Sequence, residues 1–193
     1  MKIAIIDYGA GNVQSVMFAI NRLGYSAEVT NDSKVIQLAD KVIFPGVGHA
    51  NATMEQLLAQ QLDQLIPQLK QPVLGVCLGM QLMCTSTEEG NTKGLGIFDV
   101  TVKKFTDENK IPKIGWNTIS DLKTKLFEKV KENEYMYFVH SYYVPLTQET
   151  IAKANYGLEY SAALNKNNFY GCQFHPEKSG SAGEQILKNF LEL

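Results

Sequence analysis

Short runs rich in β-branched residues alternate with segments of helical periodicity along residues 1–85. The strand-like runs are KIAIID, SAEVT, KVIFPG and PVLGVC, and the helical patterns cover 13–23, 54–69 and 78–84. A strand followed by a helix and another strand places the two strands side by side and parallel. The alternation therefore predicts a parallel sheet covered by helices.

The second half of the chain has a different character. From residue 95 onward the strand-like segments IFDVTVKKF, YMYFVHSYYV, IAKANYG, YSAALNK and NFYGCQF follow one another with short turns such as NKNN. This pattern predicts antiparallel or mixed additions to the sheet. A last helix is predicted over 183–191, with Ile186, Leu187 and Phe190 on one face. Because no repeat or linker interrupts the chain, we expect residues 1–193 to form a single domain.

The composition excludes several classes of protein. Hydrophobic residues make up 45% and charged residues 20%, and Lys+Arg 18 nearly balances Asp+Glu 20, which is typical of a soluble globular protein and gives no indication of nucleic-acid binding. Asp7 interrupts an N-terminal apolar run that is too short for a signal sequence, and no stretch is long enough to span a bilayer. Three cysteines without a CxxC pair indicate neither a disulfide framework nor a zinc site. We expect a reduced, cytoplasmic protein without metal, cofactor or membrane contact.

Cys77 stands between Gly75 and Gly79 in GVCLG, where an apolar strand ends and a helical pattern begins. Glycines permit a sharp turn here, which would lift the cysteine above the end of the sheet as in a nucleophile elbow. The N–H groups that open the next helix would favour the thiolate. Cys84 and Cys172 fall on inward faces of a helix and a strand and are predicted to be core residues. Cys77 is therefore the candidate nucleophile, and the alternative is a small apolar residue at a strand end.

A histidine and a carboxylate lie two positions apart in QFHPEK. Pro176 favours extended geometry at His175, so the side chains of His175 and Glu177 are expected to project from the same side. Alone, this motif is more often a strand end followed by a solvated loop. Combined with an elbow cysteine, it predicts a Cys-His-Glu triad. His49 and His140 have no carboxylate two residues on and are predicted to be structural or to line the substrate.

The segment VIFPGVGHA ends a strand at Pro45 and continues into a Gly-Val-Gly loop. Such a loop can turn an N–H group toward a reacting carbonyl, so Val47, Gly48 and the amide of Leu78 are the predicted oxyanion-hole donors. The same freedom would let the Val47 peptide rotate, and we expect its N–H to point away from the Cys77 sulfur at rest. The alternative is a plain strand-to-helix turn.

The N-terminal loop DYGAGN suggests a different function. Gly9-Ala10-Gly11 lies between a strand and a helix, as in a dinucleotide fingerprint, but Gln14 occupies the place of the third glycine. A tight turn with Asn12 capping the helix is the better local explanation.

Taken together and in this order, PGVG, GVCLGMQL and QFHPEKS resemble the class I (triad) glutamine amidotransferases. DYGAGN, PGVGHA, IGWN at 114–117, YFVHSYY and HPEKSG are more narrowly similar to the family of glutaminase subunits of imidazole glycerol phosphate synthase, and they span residues 7–180. One departure is Ile114, where that family usually has Met. The resemblance implies a three-layer, doubly wound, flavodoxin-like α/β fold. Its central sheet is mostly parallel, and antiparallel strands are added in the C-terminal half.

The resemblance also implies residue roles. Cys77 is the implied nucleophile, His175 the base and Glu177 the group that orients it. Contacts with glutamine are implied for three residues: Gln81, Ser141 and Tyr142. Contacts with a partner subunit are implied for four residues: Asn12, Trp116, Asn117 and Lys178.

This family hydrolyses glutamine and sends ammonia through a (β/α)₈-barrel cyclase subunit, which makes imidazole glycerol phosphate and aminoimidazole carboxamide ribotide in histidine biosynthesis. The resemblance therefore implies a thioester-forming glutaminase in a heterodimer with that cyclase, with low activity until the liganded cyclase is bound. One alternative is a paralogue that feeds another synthase, such as one in an amino-sugar pathway. The others are an elbow-cysteine redox sensor, which would not need His175 and Glu177 near Cys77, and a nucleotide-binding module, which would use Gly9 and Gly11.

Overall fold

The computed structural model describes residues 1–9, 12–106 and 110–193. The described strands are β1 (Ile3–Ile6), β2 (Ala27–Thr30), β3 (Lys41–Phe44), β4 (Val73–Val76), β5 (Cys84–Thr87), β6 (Thr92–Lys93), β7 (Phe98–Lys104), β8 (Lys113–Ile119), β9 (Glu134–His140), β10 (Tyr142–Tyr143), β11 (Thr150–Asn155), β12 (Glu159–Lys166) and β13 (Phe169–Cys172). The described α-helices are α1 (Val13–Arg22), α2 (Ser33–Leu38), α3 (Ala50–Ala59), α4 (Leu62–Leu65), α5 (Leu78–Met83) and α6 (Gly180–Glu192). None of these helices is both long and apolar enough to cross a membrane.

Within the described ranges, the central sheet has seven strands in the order β11-β12-β13-β4-β3-β1-β2. The strands from β13 to β2 in this order run parallel, and β12 and β11 extend the sheet antiparallel at one edge. The remaining described strands form two smaller sheets, β10-β7-β5-β6 and the ribbon β8-β9. The predicted mostly parallel sheet with antiparallel strands from the C-terminal half is confirmed.

Side chains of the central strands alternate between two buried clusters, one on each face of the sheet. Ile3 and Ile5 of β1 pack in the cluster that contains residues of α1 and α6. Ala4 and Ile6 belong to the cluster that contains residues of α2, α3 and α5. Successive strand residues point to opposite faces, so a continuous apolar run supplies both clusters. The result is the three-layer arrangement that the resemblance implied.

The helix predicted over 54–69 is wrong in extent. The chain forms α3 and α4, which are separated at Gln61, where the left-handed φ of 58° cannot continue a helix. Helix α2 was not predicted because its six residues are too few to show a periodic pattern. The sequence signal for the start of α2 is the N-cap residue Asp32. Its carboxylate accepts hydrogen bonds from the backbone N–H groups of Lys34 and Val35.

The segment YMYFVHSYYV, predicted as one strand-like run, divides at Ser141. Strand β9 pairs with β8 in the ribbon, whereas β10 pairs with β7 in a different sheet. At this break, Ser141 and Tyr142 leave the ribbon and lie toward α5. The Gln81 side chain of α5 hydrogen-bonds the Tyr142 carbonyl.

Candidate active site

Three neighbouring parallel strands end at the same edge of the sheet, and each is followed by one of the predicted motifs. Strand β3 leads into the Val47 loop, β4 ends one residue before Cys77, and β13 ends three residues before His175. Because β3, β4 and β13 are adjacent, the topology gathers the three motifs. The carboxyl edge of a parallel sheet is where open α/β folds form their ligand sites.

Cys77 occupies a strained turn between β4 and α5. Its φ of 53° and ψ of −110° lie outside the regions that L-residues normally adopt. The flanking glycines act differently from the prediction, since neither has a left-handed backbone. A Cβ at Gly79 would overlap the carbonyl oxygen of Phe44, and one at Gly75 would lie 2.8 Å from the Met80 nitrogen. The glycines therefore let α5 approach the sheet closely, and the strain falls on Cys77 itself.

Cys77 opens into a cleft of about 260 Å³, just below the usual range for small-molecule pockets. This volume suits a ligand of amino-acid size. The cleft contains every predicted catalytic, oxyanion and glutamine-contacting residue except Glu177, and five further residues: Glu89, Pro112, Val139, His140 and Lys178.

The structure brings His175 together with both other predicted triad residues. Its Nδ1 lies 2.8 Å from Glu177 Oε1, and both side chains are buried. Burial alone would lower the pKa of His175, but hydrogen bonds with Cys77 and Glu177 outweigh it and hold the pKa well above its usual value. Pro176 begins a single 3₁₀ turn, Pro176–Lys178, and this turn brings Glu177 back onto the imidazole. The same-side prediction is confirmed, although a turn and not an extended strand produces it.

Asn12 lies at the N-terminus of α1, as predicted, but the prediction that its side chain caps the helix is wrong. Its Nδ2 donates instead to Glu177 Oε1 at 3.0 Å. Glu177 thus receives hydrogen bonds from Asn12 and His175 on one oxygen. Gly9 is described, whereas Ala10 and Gly11 of the dinucleotide-like loop lie outside the described residues.

The cysteines differ in their surroundings. The Cys77 thiol donates to the Val139 carbonyl, with sulfur and oxygen 3.6 Å apart, and accepts from Gln173 Nε2 at 3.8 Å. Cys84 and Cys172 are core residues, as predicted, and burial raises the pKa of each thiol. Buried thiols of raised pKa are poor nucleophiles. All three cysteines are free.

The Val47 loop is held against α5 by a close glycine contact. A Cβ at Gly46 would overlap the Gly79 nitrogen, while Gly48 has a left-handed φ of 105° that favours glycine. Beneath the loop lies the fully buried Tyr8, whose pKa burial raises to about 12. The Val47 main chain counteracts part of this rise, although the Tyr8 hydroxyl makes no hydrogen bond within the described residues. The Val47 peptide therefore lies beside the Tyr8 hydroxyl.

The predicted glutamine contacts line one wall of the cleft. Gln81 Nε2 donates to the Tyr142 carbonyl at 3.0 Å and to Gln173 Oε1 at 2.9 Å. Ser141 lines the cleft beside Tyr142. The sequence interpretation missed Glu89, whose carboxylate also lines the cleft and accepts the Ala50 N–H at 2.9 Å. The sequence gives little sign of it, because Glu89 lies in a short turn far along the chain from every motif.

His140 is buried behind the cleft wall. Its Nδ1 lies 2.7 Å from the Tyr142 carbonyl, an acceptor, so Nδ1 carries a proton and donates. Its Nε2 lies 3.3 Å from the Tyr160 hydroxyl. Burial lowers the pKa of His140 to about 4, and the positive charges of His175 and Lys113 act in the same direction. His140 is therefore neutral at pH 7 and has the structural, cleft-lining position that the sequence predicted.

The buried, neutral His140 predicts an acid sensitivity. Unfolded His140 binds a proton below about pH 6.5, whereas folded His140 resists protonation down to a pKa of about 4. Its contribution to stability is complete above pH 6.5 and is lost as the pH falls toward 4, by roughly 3 kcal/mol. We expect His140→Gln to show a correspondingly smaller fall in the free energy of unfolding between these pH values, measured by urea denaturation. Equal falls in the two proteins would contradict this origin.

An exposed apolar face lies on the β8-β9 ribbon. Ile114, Trp116 and Tyr135 are 60%, 52% and 58% exposed, and the register places them on one side of the ribbon. Asn117 points to the other side, where its Nδ2 donates to the Asn155 carbonyl. Val139, whose carbonyl contacts the Cys77 thiol, is paired with Ile114. The exposed face therefore continues to the mouth of the cleft.

The family model "Glutamine amidotransferase class-I" matches residues 4–193. The chain belongs to this family. Within it, the amidotransferase is 58% identical to the "Imidazole glycerol phosphate synthase subunit HisH" of Bacteroides fragilis over the full length of both chains. It is 55% identical to the protein of the same name in Bacteroides thetaiotaomicron and 48% identical to that of Yersinia pestis, again over the full length of both. At this level of identity the chain also belongs to the HisH group.

Solved structures support the fold. A "glutamine amidotransferase" crystal structure superimposes on this amidotransferase with a TM-score of 0.77 at 14% identity, covering 98% of this chain and 97% of the other. "PurLQS from Thermotoga maritima" gives a TM-score of 0.73 at 14% identity, covering 99% and 97%. The family membership makes this chain an enzyme, a glutaminase of the class I type.

Proposed function

We propose that Cys77, His175 and Glu177 carry out the hydrolysis of glutamine in this chain. The observation that supports this most directly is the position of His175, which lines the same amino-acid-sized cleft as Cys77 and whose Nδ1 lies 2.8 Å from the buried Glu177 carboxylate. A histidine of raised pKa beside a thiol favours the thiolate–imidazolium pair. The redox-sensor alternative does not require this arrangement.

The hydrolysis then proceeds in two halves. The Cys77 sulfur attacks the carboxamide carbon of glutamine, and the His175 imidazolium gives its proton to the departing nitrogen, which leaves as ammonia. The remaining acyl group is held as a thioester. His175, now neutral, takes a proton from water as that water attacks the thioester, and glutamate is released. Glu177 holds the Nδ1–H tautomer, and Asn12 holds the Glu177 carboxylate.

The tetrahedral oxyanion is assigned to the backbone amides of Val47 or Gly48 and of Leu78. Leu78 is the first residue of α5, and the first N–H groups of a helix have no partner within it. In the resting loop, we expect the Val47 N–H to be turned away from the sulfur. Rotation of this one peptide would complete the hole when a partner binds.

The cleft wall offers recognition groups for the amino-acid end of glutamine. The Glu89 carboxylate can attract the α-ammonium group, while Lys178 and the backbone of Ser141 and Tyr142 lie where they can meet the α-carboxylate. Both N–H groups of the Gln81 amide are used within the protein, so its oxygen is the atom it can offer to the substrate.

We further propose that residues 1–193 act as a single glutaminase domain that pairs with the (β/α)₈-barrel cyclase subunit of imidazole glycerol phosphate synthase in the cytoplasm. Three relatives bear the name of that synthase's subunit. The apolar ribbon face of Ile114, Trp116 and Tyr135 supplies a docking surface that leads to the cleft, which suits the delivery of ammonia to a partner. Lys178 and Asn12 lie close to the same triad and are assigned to the rim of this interface.

Truncation at the ribbon should weaken partner binding. Exposed tryptophans that become buried in an interface are frequent hot spots, so Trp116→Ala is expected to cost about 2 kcal/mol of binding free energy. The measurement is calorimetric titration with the purified cyclase. Leu38→Ser is the matched control, because Leu38 is 71% exposed on α2 and belongs to no proposed interface. If Leu38→Ser weakened binding as much as Trp116→Ala, the ribbon would not be the docking surface.

The identity of the partner is tested directly by affinity capture of the full chain from its native extract, followed by mass spectrometry. Recovery of a cyclase of imidazole glycerol phosphate synthase supports the proposal. Recovery of an amino-sugar synthase would instead support the paralogue alternative. A glutaminase assay on the captured complex, with and without the cyclase's nucleotide substrate, then tests whether the partner activates the site.

A further inference from the structure

Gln173 is fully buried and lies between the two catalytic motifs. It follows β13 directly, stands two residues before His175, and has no exposed surface. Its backbone N–H donates to the Ala162 carbonyl at 2.8 Å, which fixes the main chain in the sheet. A buried amide side chain must find partners for its N–H₂ and its oxygen. Its partners are Gln81 and the sulfur of Cys77.

The direction of this hydrogen-bond chain is set by a carbonyl that can only accept. The Tyr142 carbonyl lies 3.0 Å from the Gln81 amide, so Gln81 must present its nitrogen there. The same nitrogen lies 2.9 Å from the Gln173 amide, which must therefore present its oxygen. The Gln173 nitrogen is left facing Cys77 Sγ at 3.8 Å. The donor is thus aimed at sulfur by the network and cannot flip without breaking it.

The half-buried Val139 and the buried Gln173 both contact the same sulfur atom. The Val139 carbonyl accepts from the thiol at 3.6 Å and stabilises its protonated form, because a carbonyl oxygen would repel a thiolate. The Gln173 N–H₂ group can serve only as a donor, and a hydrogen bond to it strengthens when the sulfur becomes negative. Val139 and Gln173 therefore present opposite hydrogen-bonding groups to the same sulfur atom.

We propose that Gln173 stabilises the thiolate of Cys77 and that Gln81, by holding the Gln173 oxygen, keeps this donor directed at the sulfur. The inference rests on the proposed role of Cys77 as the nucleophile. Gln173 acts on sulfur before glutamine reacts, in addition to the His175–Glu177 pair. Gln81 then has two tasks, since it lines the glutamine site and orients the thiolate donor.

The test measures the rate at which a neutral electrophile, iodoacetamide, alkylates Cys77 in the full chain between pH 5 and 10. Gln173→Met keeps the approximate length of the side chain but removes the donor. Hydrogen bonds to charged groups correspond to about tenfold or more in equilibrium, so we expect the pH midpoint of alkylation to rise by about one unit. The alkylation rate near pH 7 should fall about tenfold, whereas the plateau at high pH should stay within about twofold of the parent.

A purely structural role for Gln173 predicts the opposite pattern. Loosening the cleft would change the plateau rate or the KM for glutamine and leave the pH midpoint where it is. Thiolate absorbance at 240 nm, taken as the difference from Cys77→Ser at each pH, reports the same ionisation without an electrophile. An unchanged midpoint in a folded Gln173→Met protein overturns the inference. Ser161→Ala is the control, because it removes a fully buried hydroxyl of β12 that does not reach the cleft.

Gln173→Leu provides the second variant if Gln173→Met does not fold, as judged by circular dichroism. Leucine also removes the donor and places no ionisable group at this buried position. The midpoint should again rise by about one unit, and an unchanged midpoint overturns the inference. Failure of the proposed nucleophile is a separate result, because it would appear in the parent protein as labelling by a glutamine analogue away from Cys77.

Discussion

Cys77→Ala and Cys77→Ser are expected to abolish glutamine hydrolysis, lowering kcat by about 10⁶-fold, as losing the nucleophile does in other triad enzymes. No second thiol can replace it, since Cys84 and Cys172 are buried core residues whose thiol pKa values are raised by burial. Fold and partner binding should persist, because alanine and serine share the Cβ of cysteine and are no larger. Steady-state ammonia release with saturating cyclase measures the loss.

Covalent labelling is an independent test of Cys77 as the nucleophile. A glutamine analogue with an electrophilic side chain should modify Cys77 alone, and peptide mapping by mass spectrometry locates the adduct. Cys84→Ala is the matched control and should label like the parent. An adduct on Cys84 or Cys172 would rule out Cys77 as the nucleophile.

His175→Asn should reduce kcat about as much as loss of the cysteine, because the members of a triad act as a unit. Glu177→Gln should be milder, with a loss of about 10⁴-fold, since it removes charge and orientation but leaves nucleophile and base in place. The double variant His175→Asn/Glu177→Gln should be no worse than His175→Asn alone. These values come from kcat measurements on the cyclase complex.

The orienting role of Glu177 is tested by the difference in kcat between Glu177→Gln and His175→Asn. If Glu177→Gln is as inactive as His175→Asn, the carboxylate does more than orient the imidazole. Asn12→Ala gives a useful comparison, because it removes the other hydrogen bond to the same Glu177 oxygen and leaves the carboxylate charged. Its effect on kcat should be smaller than that of Glu177→Gln.

The fold and the position of the site were predictable because they depend on local signals. Apolar runs such as IAII mark strands buried on both faces, and parallel neighbours end at one edge, so the motifs after β3, β4 and β13 had to meet. Pro176 fixed the geometry at His175, where φ is −99° and ψ is 95°. The adjacency of these three strands brings their motifs to one cleft, and the place of β13 beside β4 is known only from the structure.

The features of the site that the sequence did not predict depend on contacts between residues that are distant in the sequence. Asn12 and Glu177 are 165 positions apart, and the capping preference of asparagine gave no sign that its side chain would bind a carboxylate instead. Gln173 and Glu89 acquire their importance only through neighbours in space. The left-handed break at Gln61 was also hidden, because the apolar period continues across it while the backbone does not.

The glycine contact between the Val47 loop and α5 leaves no spare volume on one side of the cleft. A side chain at Gly46 or Gly79 would strike backbone atoms, which cannot rotate out of the way as a side chain can. The half-buried side chain of Tyr142 also lines the cleft and can change size without moving the main chain. New substrate preferences can therefore evolve, or be engineered, by substitution of such side chains, while the backbone contacts around Cys77 stay fixed across such variants.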